Sequence, residues 1–138
     1  MEQIIFTSLD GQKKEAKRLF KLLKTHNPNT KLKLSAMQDA IASSYGWKSW
    51  NEMFIAHSKD NLPEGDFWCE LRTEQQLKTL EQGAQLIGAL FVQDGLEEGK
   101  TKKIVTQFFM PAIEKHLMAR LPHKLTKDGF TLALERVS

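Results

Sequence analysis

The sequence predicts an α+β fold that is predominantly helical, and three observations lead to this prediction. Apolar residues recur at the helical period over most of the chain. Three Ser/Thr-x-x-Gln/Glu patterns are typical of helix starts. Short runs rich in β-branched and aromatic residues, near 3–7, 67–71 and 130–137, are typical of strands. We therefore expect an N-terminal three-helix module, a long helical hairpin and a small sheet that joins the three strands.

The first helix is predicted to run from about residue 10 to residue 26, directly after the strand at 3–7. Ser8 and Asp10 offer oxygens that can cap its first turn, and "NPN" at 27–29 ends it. Four apolar residues have the spacing of one buried helical stripe: Ala16, Leu19, Phe20 and Leu23.

Two short helices, 36–45 and 50–58, are predicted to follow. Ser35 and Ser49 each begin a capping pattern, and Gly46 suits the left-handed conformation that ends the first of these helices. We expect both helices to pack inward through Ala40, Ile41, Tyr45, Trp50, Met53, Phe54 and His57.

The C-terminal half is predicted to hold two long helices, 73–93 and about 100–121, in a single domain with sub-regions 1–60 and 61–138. Thr73 begins a third capping pattern, and Pro111 is expected to kink or restart the second long helix. Gly83 and Gly88 suggest close helix packing. The helix at 73–93 has an apolar seam suited to an antiparallel neighbour: Leu77, Leu80, Ala84, Ile87 and Phe91.

The basic side chains are concentrated near the N-terminus. The net charge is only +3, but residues 11–33 carry eight basic side chains against the single acidic residue Glu15. Such local asymmetry favours a polyanionic partner. The sequence contains no signal peptide and no apolar run long enough for a membrane span, and Cys69 has no second cysteine to pair with. A cytoplasmic location and a buried, apolar role for Cys69 are therefore expected.

Lysines around the predicted first helix are the candidate nucleic-acid-binding residues, with DNA favoured over RNA as the ligand. Two other interpretations stay open, namely a solvated helix face and a surface for an acidic protein. The candidate residues are Lys13, Lys14, Lys17, Arg18, Lys21, Lys24, Lys31, Lys33 and Lys48.

The two short helices invite comparison with a DNA-reading helix-turn-helix. Ala42 and Gly46 have the spacing of the alanine and the turn glycine of that motif. The motif also buries apolar residues six and nine positions after the glycine, where this chain has Glu52 and Ile55. The sequence therefore favours a packed helical corner over a groove-reading element.

Aromatic residues supply a second set of candidates. One interpretation of Trp47 and Trp50 is a core cluster that joins the helix at 50–58 to the first helix, with Trp50 the surer core residue. The other is that Trp47, which lies on the predicted turn, anchors a partner protein together with Phe67 and Trp68. The long helices at 73–93 and 100–121 could pack across the two-fold axis of a homodimer.

No residues are predicted to be catalytic or to bind a metal or cofactor. The four histidines are scattered, and the chain contains no HExxH, CxxC, GxSxG, P-loop or GxGxxG pattern. A non-enzymatic protein is therefore expected.

Residues 11–57, with "QKKEAKRLFKLL" and "KLSAMQDAIASSYGWKSWNEM", resemble a small helical module of bacterial proteins labelled glyoxalase-superfamily-related. Met53 departs from the leucine that is usual in the module. The resemblance implies a compact helical module of bacterial or mobile-element origin. Glyoxalase activity is not carried over, because no paired βαβββ halves and no metal-binding His and Glu set can be placed in this sequence. The matching residues are Ala16, Leu19, Leu34, Ser35, Gln38, Ala42, Gly46, Trp50, Asn51 and Met53.

Together these features predict a small bacterial or mobile-element accessory protein that binds nucleic acid through its basic N-terminal module. The alternative is an adaptor or inhibitor that acts on a host or partner protein.

Overall fold

The computed structural model describes residues 3–59 and 62–112. Over these residues the chain is predominantly helical, which confirms that part of the prediction. The described helices are α1 (Asp10–His26), α2 (Leu34–Ser44), α3 (Trp50–Ser58), α4 (Thr73–Gln93) and α5 (Glu98–Ala112), with a short 3₁₀ turn at Trp68–Glu70. The bounds of α1, α3 and α4 agree with the prediction. The remainder of the last predicted helix, 113–121, lies outside the described residues.

The predicted small sheet is wrong for the part of the chain that the structure describes. The first two predicted strands, 3–7 and 67–71, meet only in one isolated parallel bridge between Ile5 and Phe67. The backbone N–H and C=O of Ile5 make the two hydrogen bonds of this bridge, 3.0 and 2.8 Å long. The chain then enters the 3₁₀ turn, so the ladder cannot continue. The third predicted strand, near 130–137, lies outside the described residues.

Four helices enclose most of the core. α1 packs against α2 and α5, α4 packs against the same two helices, and α3 packs against α2. Helix α1 is therefore held on its inner side by two neighbours, while its outer side is left to solvent. The largest fully buried side chains are Leu19, Leu23, Met37, Ile41, Met53, Ile87, Phe91, Ile104 and Val105.

Only one of the three predicted capping patterns forms a cap. Ser49 Oγ accepts a hydrogen bond from the backbone N–H of Glu52 at 3.1 Å, which satisfies one of the free amides at the start of α3. Helix α2 begins at Leu34, before the predicted cap Ser35, and helix α4 begins at the predicted cap Thr73 itself. Ser35 and Thr73 consequently lie inside the first turns and do not cap them.

Gly46 and Gly83 each have a structural reason to be glycine. Gly46 has a φ of 89°, the left-handed conformation predicted for the end of α2. Gly83 lies where α4 approaches α2, and a Cβ at this position would be 3.1 Å from Ser44 Cβ. The predicted close packing at Gly83 is thus confirmed.

Candidate nucleic-acid interface

Five exposed lysines occupy the outer face of α1. At about 3.6 residues per turn, residues two positions apart point to nearly opposite sides of a helix. Lys21 therefore points away from Leu19 and Leu23, which are both buried. The packing of α1 on α2 and α5 thus fixes which side carries the charge. We call this surface the lysine face, and it consists of Lys13, Lys14, Lys17, Lys21 and Lys24.

Arg18 is engaged with α5. Its guanidinium donates to the carbonyl oxygen of Phe108 at 2.9 Å and to that of Gln107 at 3.5 Å, and it lies 4.4 Å from the centroid of the Phe108 ring. Pro111 lies inside α5 and has no N–H, so the Gln107 carbonyl lacks its usual partner four residues later. Arg18 supplies a substitute donor. Its side chain therefore joins α1 to α5 and is not available to the lysine face.

Glu15 is the only acidic residue between Lys13 and Lys24, and it is half-buried. The Tyr45 hydroxyl donates a hydrogen bond to its carboxylate. Burial raises the pKa of Glu15 above its ordinary value of 4.5, although the positive charge of Arg18 and the bond from Tyr45 act in the opposite direction. Burial and the neighbouring Glu15 also raise the pKa of Tyr45 well above 10.0. The negative charge of Glu15 is therefore turned toward the protein.

The other three candidate lysines are exposed but belong to different elements. Lys31 and Lys33 lie in the loop between α1 and α2, and Lys48 lies in the turn between α2 and α3. Because they lie outside α1, the helical period of α1 does not place them on the lysine face.

Trp47 is a core residue, and the interpretation of this side chain as a surface anchor is wrong. Its side chain is only 3% exposed, and its indole N–H donates to the backbone carbonyl of Ile4 at 2.9 Å. The segment before α1 folds over the α2–α3 turn and covers this ring. Trp50, expected in the core, is half-buried. Trp47 is therefore part of the scaffold and cannot serve as a surface anchor in this structure.

Phe67 and Trp68, the other two proposed anchors, are both half-buried. The Trp68 ring lies 6.2 Å from the Phe6 ring and 5.6 Å from the Tyr45 ring, centroid to centroid. It therefore belongs to an aromatic cluster between the N-terminal segment and α2. Phe67 is held by its bridge to Ile5.

Phe54 is an exposed aromatic residue on α3. The prediction put it in the core, but it is 39% exposed, as is its neighbour Ile55. The buried side of α3 is narrow and consists of Met53 and Ala56. The Lys13 ammonium lies 5.2 Å from the centroid of the Phe54 ring. Phe54 therefore extends the lysine face with an apolar ring.

A pocket of about 350 Å³ opens beside Phe54. Its lining includes Ser8, Lys13, His57, Ser58 and Phe67. His57 is fixed on both ring nitrogens: Nε2 accepts from the backbone N–H of Phe6 at 3.2 Å, so Nδ1 carries the proton that is donated to the Met53 carbonyl at 2.7 Å. This histidine has a structural role in shaping the wall of the pocket.

Other features bear on the functional class. Cys69 is exposed, so the prediction that it is buried is wrong. In the described ranges 3–59 and 62–112, no group of three or more His, Cys, Asp or Glu side chains could hold a metal ion. No helix in the described part of the chain is long and apolar enough to cross a membrane.

Comparison with family models, with curated proteins and with solved structures found no match to this chain. The resemblance of residues 11–57 to the bacterial helical module stays a prediction.

Proposed function

We propose that this chain is a non-enzymatic accessory protein that binds nucleic acid through the lysine face of α1. The observation that supports the proposal is the display of five exposed lysines on one side of α1, while the only acidic side chain between Lys13 and Lys24 is turned toward Tyr45. Phosphate groups are the complementary ligand for such a surface, and each lysine–phosphate contact releases condensed counterions.

Binding of this kind has little sequence preference. The lysine face offers ammonium groups only, and these position a phosphate backbone without reading base edges. The interpretation of α3 as a recognition helix gains no support, because Glu52 and Ile55 are exposed at the two positions that a helix-turn-helix buries.

The proposal also includes the source of the protein and the role of its C-terminal half. The resemblance of residues 11–57 supports a bacterial or mobile-element source. We further expect residues 61–138 to contribute to dimerisation or to docking of a partner. Leu86 and Val92 on α4, each 37% exposed, are the apolar side chains that such a contact would cover.

The test is a fluorescence-anisotropy titration of labelled 20-nucleotide single strands and 20-base-pair duplexes at about 50 mM salt, where phosphate contacts are strong. The wild-type protein binds at least one of them. Replacing Lys17 and Lys21 together by glutamate abolishes the binding because both charges are inverted at the centre of the lysine face.

A matched control inverts two exposed lysines on other helices, Lys78 in α4 and Lys100 in α5. This variant has the same net charge as the first one, so retained binding assigns the effect to the lysine face. Failure of the wild-type protein to bind any of the nucleic acids would overturn the proposal. An acidic protein would then be the ligand to test, in line with the alternative of an adaptor or inhibitor.

A further inference from the structure

An exposed aromatic ring next to a row of phosphate-binding cations has a specific use in nucleic-acid recognition. Phe54 is 39% exposed at the end of the lysine face, with the Lys13 ammonium 5.2 Å from its ring centroid. Phe20 also lies under a lysine, Lys24, at 5.4 Å. Phe20 is half-buried and packs against the core, so Phe54 is the more accessible of the two rings.

The pocket beside Phe54 gives that ring a neighbouring space. Its volume of about 350 Å³ is within the range of small-ligand pockets, which begins at about 300 Å³. The residues that line it include Phe67 and the polar residues Ser8, Asp10 and Ser58. Lys13 also lines the pocket and therefore belongs both to the lysine face and to the pocket. A nucleobase is planar and partly polar, and it is a candidate occupant of this space while the phosphate of the same nucleotide contacts Lys13.

We propose that the nucleic acid bound by this protein is single-stranded, and that one unpaired base stacks on Phe54 at the mouth of the pocket. The phosphates that flank this base contact Lys13 and Lys17, and the rest of the strand follows the lysine face along α1. This inference rests on the proposed function and adds the class of nucleic acid and the contact that selects it.

The physical reason is that a base in a duplex cannot offer its face. Paired bases are stacked on their neighbours, and reaching a protein ring requires unstacking that a single strand does not. Stacking on an aromatic side chain accepts every base, because each has a π-face. The arrangement therefore favours single strands over duplexes without any base-edge readout.

The experiment compares two labelled 20-nucleotide strands at the same salt concentration: oligothymidine and an abasic strand with the same sugar–phosphate backbone. Both present the same phosphates, and only the first presents bases. The wild-type protein binds oligothymidine at least about fivefold more tightly than the abasic strand, the gain expected from one stacked base. It also binds oligothymidine more tightly than a 20-base-pair duplex.

Phe54→Leu keeps an apolar side chain but removes the aromatic face, and it erases the difference between oligothymidine and the abasic strand. Ile55→Ala is the matched control, since Ile55 is equally exposed on the same helix and has no ring. It leaves the difference intact. Far-UV circular dichroism and the urea midpoint verify that both variants are folded.

The outcomes separate this inference from the proposed function. Equal affinity for oligothymidine and the abasic strand, with steep salt dependence, overturns the stacking inference and leaves the lysine face as the binding site. Loss of both affinities in Phe54→Leu also overturns it, because Phe54 would then support the lysines instead of a base. Absence of binding to every strand and duplex overturns the proposed function itself.

Discussion

Replacing Trp47 by phenylalanine keeps an aromatic ring in the core and removes the donor that binds the Ile4 carbonyl at 2.9 Å. Trp47 is 3% exposed, so water cannot reach this carbonyl without local unfolding. Leaving a buried acceptor without its partner costs about 1–3 kcal/mol. The smaller phenylalanine ring also loses contacts with its neighbours. We therefore expect Trp47→Phe to lower the free energy of unfolding by about 2–3 kcal/mol.

Trp47→Ala enlarges the perturbation. Removing a buried aromatic side chain costs about 3–5 kcal/mol, and the lost hydrogen bond adds to this. Domains have a total stability of about 5–15 kcal/mol, so the alanine variant is expected to be close to unfolding at room temperature. Trp47→Phe is for this reason the variant to measure.

The assay is urea unfolding followed by far-UV circular dichroism, because tryptophan fluorescence would change with the substitution itself. Trp50→Phe is the control, since Trp50 is half-buried. We expect it to cost less than Trp47→Phe, about 1 kcal/mol, because Trp50 packs against the core from a partly exposed position. A Trp47→Phe variant within about 0.5 kcal/mol of the wild-type protein would refute the burial and the hydrogen bond deduced for this ring.

Three further predictions concern the contacts around α1 and α4. Burial raises the pKa of Glu15, so the folded protein loses stability as the pH rises through that raised pKa and the carboxyl group ionises. Glutamine resembles the protonated form, so Glu15→Gln is expected to be more stable than the wild-type protein at pH 7. The difference between their urea midpoints should be smaller at about pH 4. Arg18→Ala removes the donors to two α5 carbonyls and is expected to cost about 1–2 kcal/mol in urea unfolding, while nucleic-acid affinity changes less than in a lysine-face variant. Gly83→Ala places a Cβ 3.1 Å from Ser44 and should lower the melting temperature, whereas Gly99→Ala, with nothing within 4 Å of its Cβ, should not lower it. Unchanged urea midpoints in the first two variants, or equal melting shifts in the two glycine variants, would contradict these contacts.

Helical periodicity was sufficient to predict the position of α1, α3 and α4, and it also placed the lysine face opposite Leu19 and Leu23. These features depend on one local period and on which side of a helix is apolar. The positive φ of Gly46 was predictable for a similar reason, because the end of a helix has its own residue preference.

The aromatic residues could not be placed by the same reasoning. Trp47 lies on a turn, where helical period carries no information, and it is buried because the N-terminal segment folds back to bring Ile4 beside it. Phe54 shares the helical spacing of Trp50, Met53 and His57, which predicts it in the core, but the buried side of α3 is narrow and is completed by Ala56. The role of Arg18 depends on Phe108, 90 residues away in the sequence. Each of these is a property of the tertiary packing.

Lys17→Gln removes one charge from the centre of the lysine face without inverting it, and so tests directly whether Lys17 contacts a phosphate. The measurement is the dependence of the oligothymidine association constant on salt concentration, for the wild-type protein, for Lys17→Gln and for the control Lys78→Gln. We expect the magnitude of the slope of log K against log salt to be about 2–4 for the wild-type protein, to fall by about 0.7 in Lys17→Gln and to stay unchanged in the control. A slope that Lys17→Gln does not alter would show that Lys17 contacts no phosphate and would contradict binding through the lysine face.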